Sequence, residues 1–160
     1  MLKMNLQNCF PMDEKRTFEQ ALAERGSFVA PASGVSMQPL IRPGRDLVEI
    51  TRKGAARCRK HDVVLYRRGE RYVLHRVVQV RDHDYVIAGD HQTVKEYGVT
   101  DADIVGVLSA VIRDGKRLSV TDRAYRRYVR LWCGLYPVRA ACAAGKGAAV
   151  KLLRTFHSKK

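Results

Sequence analysis

A serine set between a glycine and a Met-x-Pro turn, in Ser33-Gly34-Val35-Ser36-Met37-Gln38-Pro39-Leu40, can present its hydroxyl at a strand end. Further on, Tyr72-Val73-Leu74-His75-Arg76-Val77-Val78 holds one histidine inside an apolar, β-branched run. A serine hydroxyl at its ordinary pKa is a weak nucleophile and needs a base within hydrogen-bond reach. Histidine titrates near neutrality, so it can take that proton and return it to a leaving amine. Held on neighbouring strands, Ser36 and His75 would be the minimal machinery of acyl transfer. Of five histidines, His75 alone lies in a strongly β stretch. Parity sets it on a face with Val73 and Val77, opposite Leu74 and Arg76. A lone histidine among valines is more often a satisfied core residue than a catalyst. The Ser36 box reverses that judgement.

The elements around these residues read as a β domain between helices. Asp13 to Arg25 has helical spacing, with Phe18, Ala21 and Leu22 on one face and Gly26 as a stop. Phe28-Val29-Ala30 is a short strand leading into the serine box. Arg42-Pro43-Gly44-Arg45 is a turn, and Asp46 to Thr51 a strand with Val48 and Ile50 on one face. Arg52 to Lys60 is a basic loop. Asp62 to Tyr66 and Tyr72 to Val80 are strands joined at Arg68-Gly69-Glu70, and Tyr85 to Ala88 is a third, ending at Gly89-Asp90. A polar loop follows. Ile104 to Ile112 then turns back through Asp114-Gly115, a strong hairpin signal, into Leu118-Ser119-Val120. From Asp122 the period becomes helical, with Tyr125, Tyr128, Val129, Leu131 and Trp132 among arginines. Gly134 and Pro137 break it, and Val138 to Leu153 is an Ala-rich basic segment. The predicted fold is mainly β, a small antiparallel coiled sheet or partial barrel. It is divided into a helical segment over 1–27, a β domain over 28–121 and a basic helical segment over 122–160.

At 160 residues and 46% hydrophobic content the chain can bury a real core. A formal charge of +14 attracts polyanions or an anionic membrane surface. No nucleic-acid-binding motif accompanies it, so nucleic acid is not expected as a partner. Cys9, Cys58, Cys133 and Cys142 lack Cys-x-x-Cys spacing, which argues against a zinc site or a disulfide framework and for reduced intracellular thiols. No cofactor or metal is called for. Met1 to Leu6 is too short and polar for a signal peptide, and no apolar run reaches spanning length.

Taken in order, Gly34 to Leu40, Asp62 to Tyr66, His75-Arg76-Val77-Val78 and Gly89-Asp90 resemble the signal peptidase I clan, which includes the self-cleaving SOS-response repressors. The resemblance covers about residues 28–112. It implies Ser36 as nucleophile and His75 at the position of the base, where bacterial signal peptidases carry lysine. A histidine there is similar to the ER-type and archaeal branch. Gly89-Asp90 matches the box lining the far side of the site, with His91 where the family usually has asparagine. An acidic residue near that box would orient the histidine. Asp90, Glu96, Asp101 and Asp103 are candidates, with Asp90 preferred. Backbone N–H groups at Ser36 and nearby would form the oxyanion hole, Gly34 standing where some relatives have a side-chain donor.

The family carries a transmembrane anchor before the serine box or after the β domain, and none is expected here, where no apolar run reaches spanning length. The aromatic, basic C-terminal segment of this chain could instead lie at a membrane interface, or pack as a lid with its arginines in water. The function expected is a serine endopeptidase that cleaves a leader or precursor peptide in the cytoplasm or at the inner membrane face. The alternatives are a silent peptide-binding module on the same fold and, last, a basic nucleic-acid-binding regulator.

Overall fold

The computed structural model describes residues 18–139, residue 141 and the backbone of residues 3–4. The chain divides into two compact units after Arg126. The first is mainly antiparallel β. Its strands are β1 (Lys3–Met4), β2 (Ser27–Ser33), β3 (Leu47–Arg52), β4 (Val63–Arg68), β5 (Arg71–Val80), β6 (Tyr85–Ala88), β7 (Glu96–Val99), β8 (Ile104–Arg113) and β9 (Lys116–Ser119). They form one sheet in the order β1-β2-β3-β8-β4-β5-β6-β7, with β9 paired to β8. Helix α1 (Phe18–Arg25) precedes β2, and α2 (Arg123–Gly134) follows β9.

The turns chosen from sequence set the registers. Arg68 pairs with Arg71 across Gly69-Glu70, and Arg113 with Lys116 across Asp114-Gly115. Helix α1 buries Phe18, Ala21 and Leu22, and the Phe18 ring stacks on Phe28 at 4.9 Å. The helix therefore belongs to the β body. It ends where the Gly26 N–H donates to the Leu22 carbonyl at 3.0 Å. The expected helical start over Asp13 to Thr17 lies outside the described residues.

Strand β5 organises the unit. Its first half pairs with β4, up to Arg76 opposite Val63, and its second half pairs with β6, from Arg76 opposite Ala88. The short β1 pairs with β2 at Lys3–Ser33 and Met4–Ala32, and with β5 at Lys3–Val73. Residues opposite one another in an antiparallel pair share a face. Val64, Tyr66, Val73, His75, Val77 and Ile87 thus line one side, and Leu65, Leu74, Arg76 and Ala88 the other. All of them are buried. Strand β7 was expected as polar loop: four residues with Gly98 at the third position carry no period, and pairing with β6 alone makes them a strand.

In the second unit α2 runs on to Gly134, and Tyr128 stacks on Trp132 at 6.0 Å. Pro137 does not end the helical structure: residues 136–139 form a further helical turn, and Arg139 N–H donates to Leu135 at 3.0 Å. Proline is tolerated there because a first helical turn requires no N–H from it. The rest of Val138 to Leu153 lies outside the described residues, apart from Arg139 and Ala141. Among the described residues no helix is long and apolar enough to cross a membrane.

Candidate active site around Ser36 and His75

The loop between β2 and β3 carries Ser36. Gly34 at φ 88° occupies the left-handed region that side chains resist, and lets the chain leave β2 sharply. Met37, Leu40 and Ile41 turn inward and are buried, which makes the loop part of the core. Its far end is bound to the sheet. Asp46 accepts from Arg42 N–H at 2.8 Å and from Arg113 Nε at 2.8 Å, while Arg113 Nη2 donates to the Leu40 carbonyl at 3.0 Å. Burial works to raise the Asp46 pKa, yet hydrogen bonds from Arg113 and Arg42 hold it below the usual carboxylate range. These bonds fix the Leu40–Asp46 end of the loop to β8.

The same loop meets the end of β6. The His91 N–H donates to the Ser36 carbonyl at 2.8 Å. A Cβ at Gly89 would come 2.6 Å from that carbonyl oxygen and 3.0 Å from Ser36 Cβ. Only a bare α-carbon admits the Ser36 backbone there. Ser36 is thereby packed against Gly89, the residue that follows β6, whose last residue Ala88 pairs with Arg76.

His75 is fully buried, with Nδ1 3.3 Å from Glu96 Oε1 and 3.4 Å from the Tyr66 hydroxyl. Tyr66 donates to Glu96 Oε2 at 2.8 Å, and Arg68 donates to Oε1 at 3.2 Å. Glu96 reaches this position through β7: it pairs with Ile87, which pairs with Val77, so all three share the His75 face. A carboxylate at ion-pair distance from Nδ1 favours the tautomer with the proton on Nδ1, in which the Nε2 lone pair is the free acceptor. Burial pushes the imidazole down to about 4, against the Glu96 carboxylate, which raises it. The ring is therefore a neutral base at pH 7. Burial, then Glu96, holds the Tyr66 phenol far above its ordinary value, so it stays a donor.

Four buried side-chain nitrogen or oxygen atoms among the described residues have no hydrogen-bond partner: Ser33 Oγ, Ser36 Oγ, His61 Nδ1 and His75 Nε2. An unmade bond at a buried polar atom costs about 1–3 kcal/mol, so such atoms are rare without a use. Two of the four are the atoms that a serine–histidine pair would use. Ser33, on β2 in the approach to Ser36, was not singled out from sequence; a hydroxyl three residues before Ser36 was the available signal.

Asp90, the preferred candidate for orienting His75, is held by Arg76. Its carboxylate receives a bidentate pair from Arg76 at 2.7 and 2.7 Å, on the opposite face of β5. Of the other acids considered, Asp101 is engaged by Lys53, Arg57 and Tyr85, and Asp103 by Thr100. Glu96 is the carboxylate in contact with His75. Among the described residues no cluster of histidine, cysteine, aspartate or glutamate could hold a metal ion. Cys58 is a buried free thiol, pushed up to about 11 chiefly by burial, and is no nucleophile. No protein-family model matches this chain, and no curated protein and no solved structure matches it.

Proposed function

We propose that the chain is a serine endopeptidase of the signal peptidase I type, using Ser36 as nucleophile, His75 as base and Glu96 as the residue that positions it. On this reading the sheet is the partial barrel of that clan. The observation that carries the proposal is the pair of orphan atoms, Ser36 Oγ and His75 Nε2, each buried without a hydrogen-bond partner. A neutral imidazole with a carboxylate on its other nitrogen further supports it.

In the first step Ser36 Oγ bonds to the scissile carbonyl carbon and its proton passes to His75 Nε2. The oxyanion is held by backbone N–H groups of the Gly34–Ser36 loop, with the Ser33 hydroxyl as a further donor. The C–N bond then breaks and His75 returns the proton to the leaving amine. A water, deprotonated by His75, attacks the acyl-serine ester; the ester C–O bond breaks and Ser36 regains its proton. Catalytic hydrogen bonds are often loose before substrate arrives, consistent with two unpaired partners.

The substrate would be a peptide in extended form. Strand β1 fits between β2 and β5, pairing with Ser33 on one side and Val73 on the other, close in sequence to Ser36 and His75. Strand addition at two such edges supplies affinity through backbone bonds. The same observation favours the second reading, a peptide-binding module without turnover, as does Ser36 being only 1% exposed.

The deciding experiment is labelling with a serine-reactive acylating probe. Modification mapped to Ser36, and lost in Ser36→Ala and His75→Ala, is the expected result. A folded protein that binds extended peptide and never labels would favour the binding module.

A further inference from the structure

The charge of this chain is lopsided. Residues 123–160 contain ten Lys and Arg and no Asp or Glu, so they carry +10 of the formal +14. Within the second unit, Leu131, Leu135 and Val138 are 61%, 50% and 59% exposed. The Leu135 N–H donates to Leu131 at 3.0 Å and Arg139 N–H to Leu135 at 3.0 Å, so helical spacing continues across them. Positions i, i+4 and i+7 fall on one stripe. Arg127 and Arg130 flank it, exposed. Trp132 lies beside it, half-buried, stacked on Tyr128 and capped by the Arg139 guanidinium at 3.9 Å from the ring centroid.

We infer that this basic helix docks on an anionic lipid bilayer, lying in the interface with the aliphatic stripe inward and the arginines at the headgroups. Charge complementarity names the partner as an anion, and the stripe selects among anions. A nucleic acid backbone rewards the arginines but not three water-exposed aliphatic side chains. A bilayer rewards both, and places aromatic rings at headgroup depth. This inference is independent of the peptidase reading.

The test uses the full chain and vesicles of phosphatidylcholine alone or mixed with phosphatidylglycerol. Trp132 is the single tryptophan, so its emission reports on this helix directly. The expected result is co-sedimentation and a blue shift with the mixed vesicles only. Two paired variants then divide the contributions, each checked for unchanged far-UV circular dichroism. Arg127→Gln with Arg130→Gln should weaken partitioning about thirty-fold, since each basic residue near an anionic surface is worth a factor of about five. Leu131→Ser with Leu135→Ser should weaken it at least roughly ten-fold through lost apolar burial. Binding that falls in the arginine variant but survives in the leucine variant would mean simple polyanion attraction and would overturn the proposal. Equal binding to phosphatidylcholine, or none to either vesicle, would also overturn it.

Discussion

Adjacent residues of β5 meet opposite fates. His75 and Arg76 are both buried, on opposite faces of the strand. Arg76 is heavily satisfied: its guanidinium holds Asp90 at two points, donates to the His61 carbonyl at 2.8 Å and reaches the Tyr125 hydroxyl at 3.3 Å. Burial alone would lower the Arg76 pKa, but the bonds to Asp90 override it and hold the group firmly charged. His61 is even held at φ 81°, a conformation that costs a non-glycine residue on the order of 1 kcal/mol. His75, by contrast, is supported on Nδ1 and left open on Nε2. One face is built to stay as it is. The other is built with a bond left over.

The largest effect should come from the satisfied face. Arg76→Leu strands the Asp90 carboxylate in the interior and is expected to cost about 3–5 kcal/mol, read as a lowered urea midpoint. Replacing both partners, Arg76→Leu with Asp90→Leu, should recover much of that loss, because no lone charge is then left buried. If the single variant lost under about 1 kcal/mol, the contrast between the faces would fail.

Next comes Glu96. Glu96→Gln keeps size and shape but no longer holds the Nδ1–H tautomer by charge. Acylation of Ser36 should fall about 10–100-fold while the urea midpoint changes little, since the Glu96 side chain is 19% exposed and can be rehydrated. Asp90→Asn should do the reverse, lowering stability before it lowers intrinsic labelling of the folded fraction. Equal activity losses from both, at unchanged stability, would return Asp90 to the site.

Much of this arrangement could be read from sequence, and the exception is instructive. The hairpins at Gly69-Glu70 and Asp114-Gly115, the serine loop and the parity of β5 follow from turn chemistry and alternating apolar residues, both local signals. Glu96 depends on β7, whose Glu96-Tyr97-Gly98-Val99 has no local signal and becomes a strand only by pairing with β6. Asp90 was preferred for its nearness to Gly89. Its engagement by Arg76 depends on the register of β6 against β5, with Ala88 beside Arg76, which no local signal carries.

Acid should separate the faces again. The folded His75 pKa, about 4, lies below the value near 6.5 expected in the unfolded chain. Between those values the unfolded state binds the extra proton, so stability is lost as pH falls from about 6.5 to 4. The loss should be on the order of 3 kcal/mol and absent from His75→Gln, measured as urea midpoints across that window. Activity should keep an acid limb near the folded value. Because Glu96 raises the His75 pKa, Glu96→Gln should move that limb to lower pH.

The smallest effect is the most discriminating, because its expected sign is unusual. Truncating a buried residue normally destabilises, by about 1 kcal/mol on average. Ser36→Ala removes one oxygen that is buried without a partner, so the folded state loses no hydrogen bond and is relieved of a desolvated hydroxyl. Its urea midpoint should stay level or rise, by up to about 1 kcal/mol, while labelling disappears. A functional atom maintained at the expense of stability behaves in this way. If Ser36→Ala were instead destabilising by about 2 kcal/mol, the hydroxyl would be making a structural bond. The two faces of β5 would then be alike, both closed.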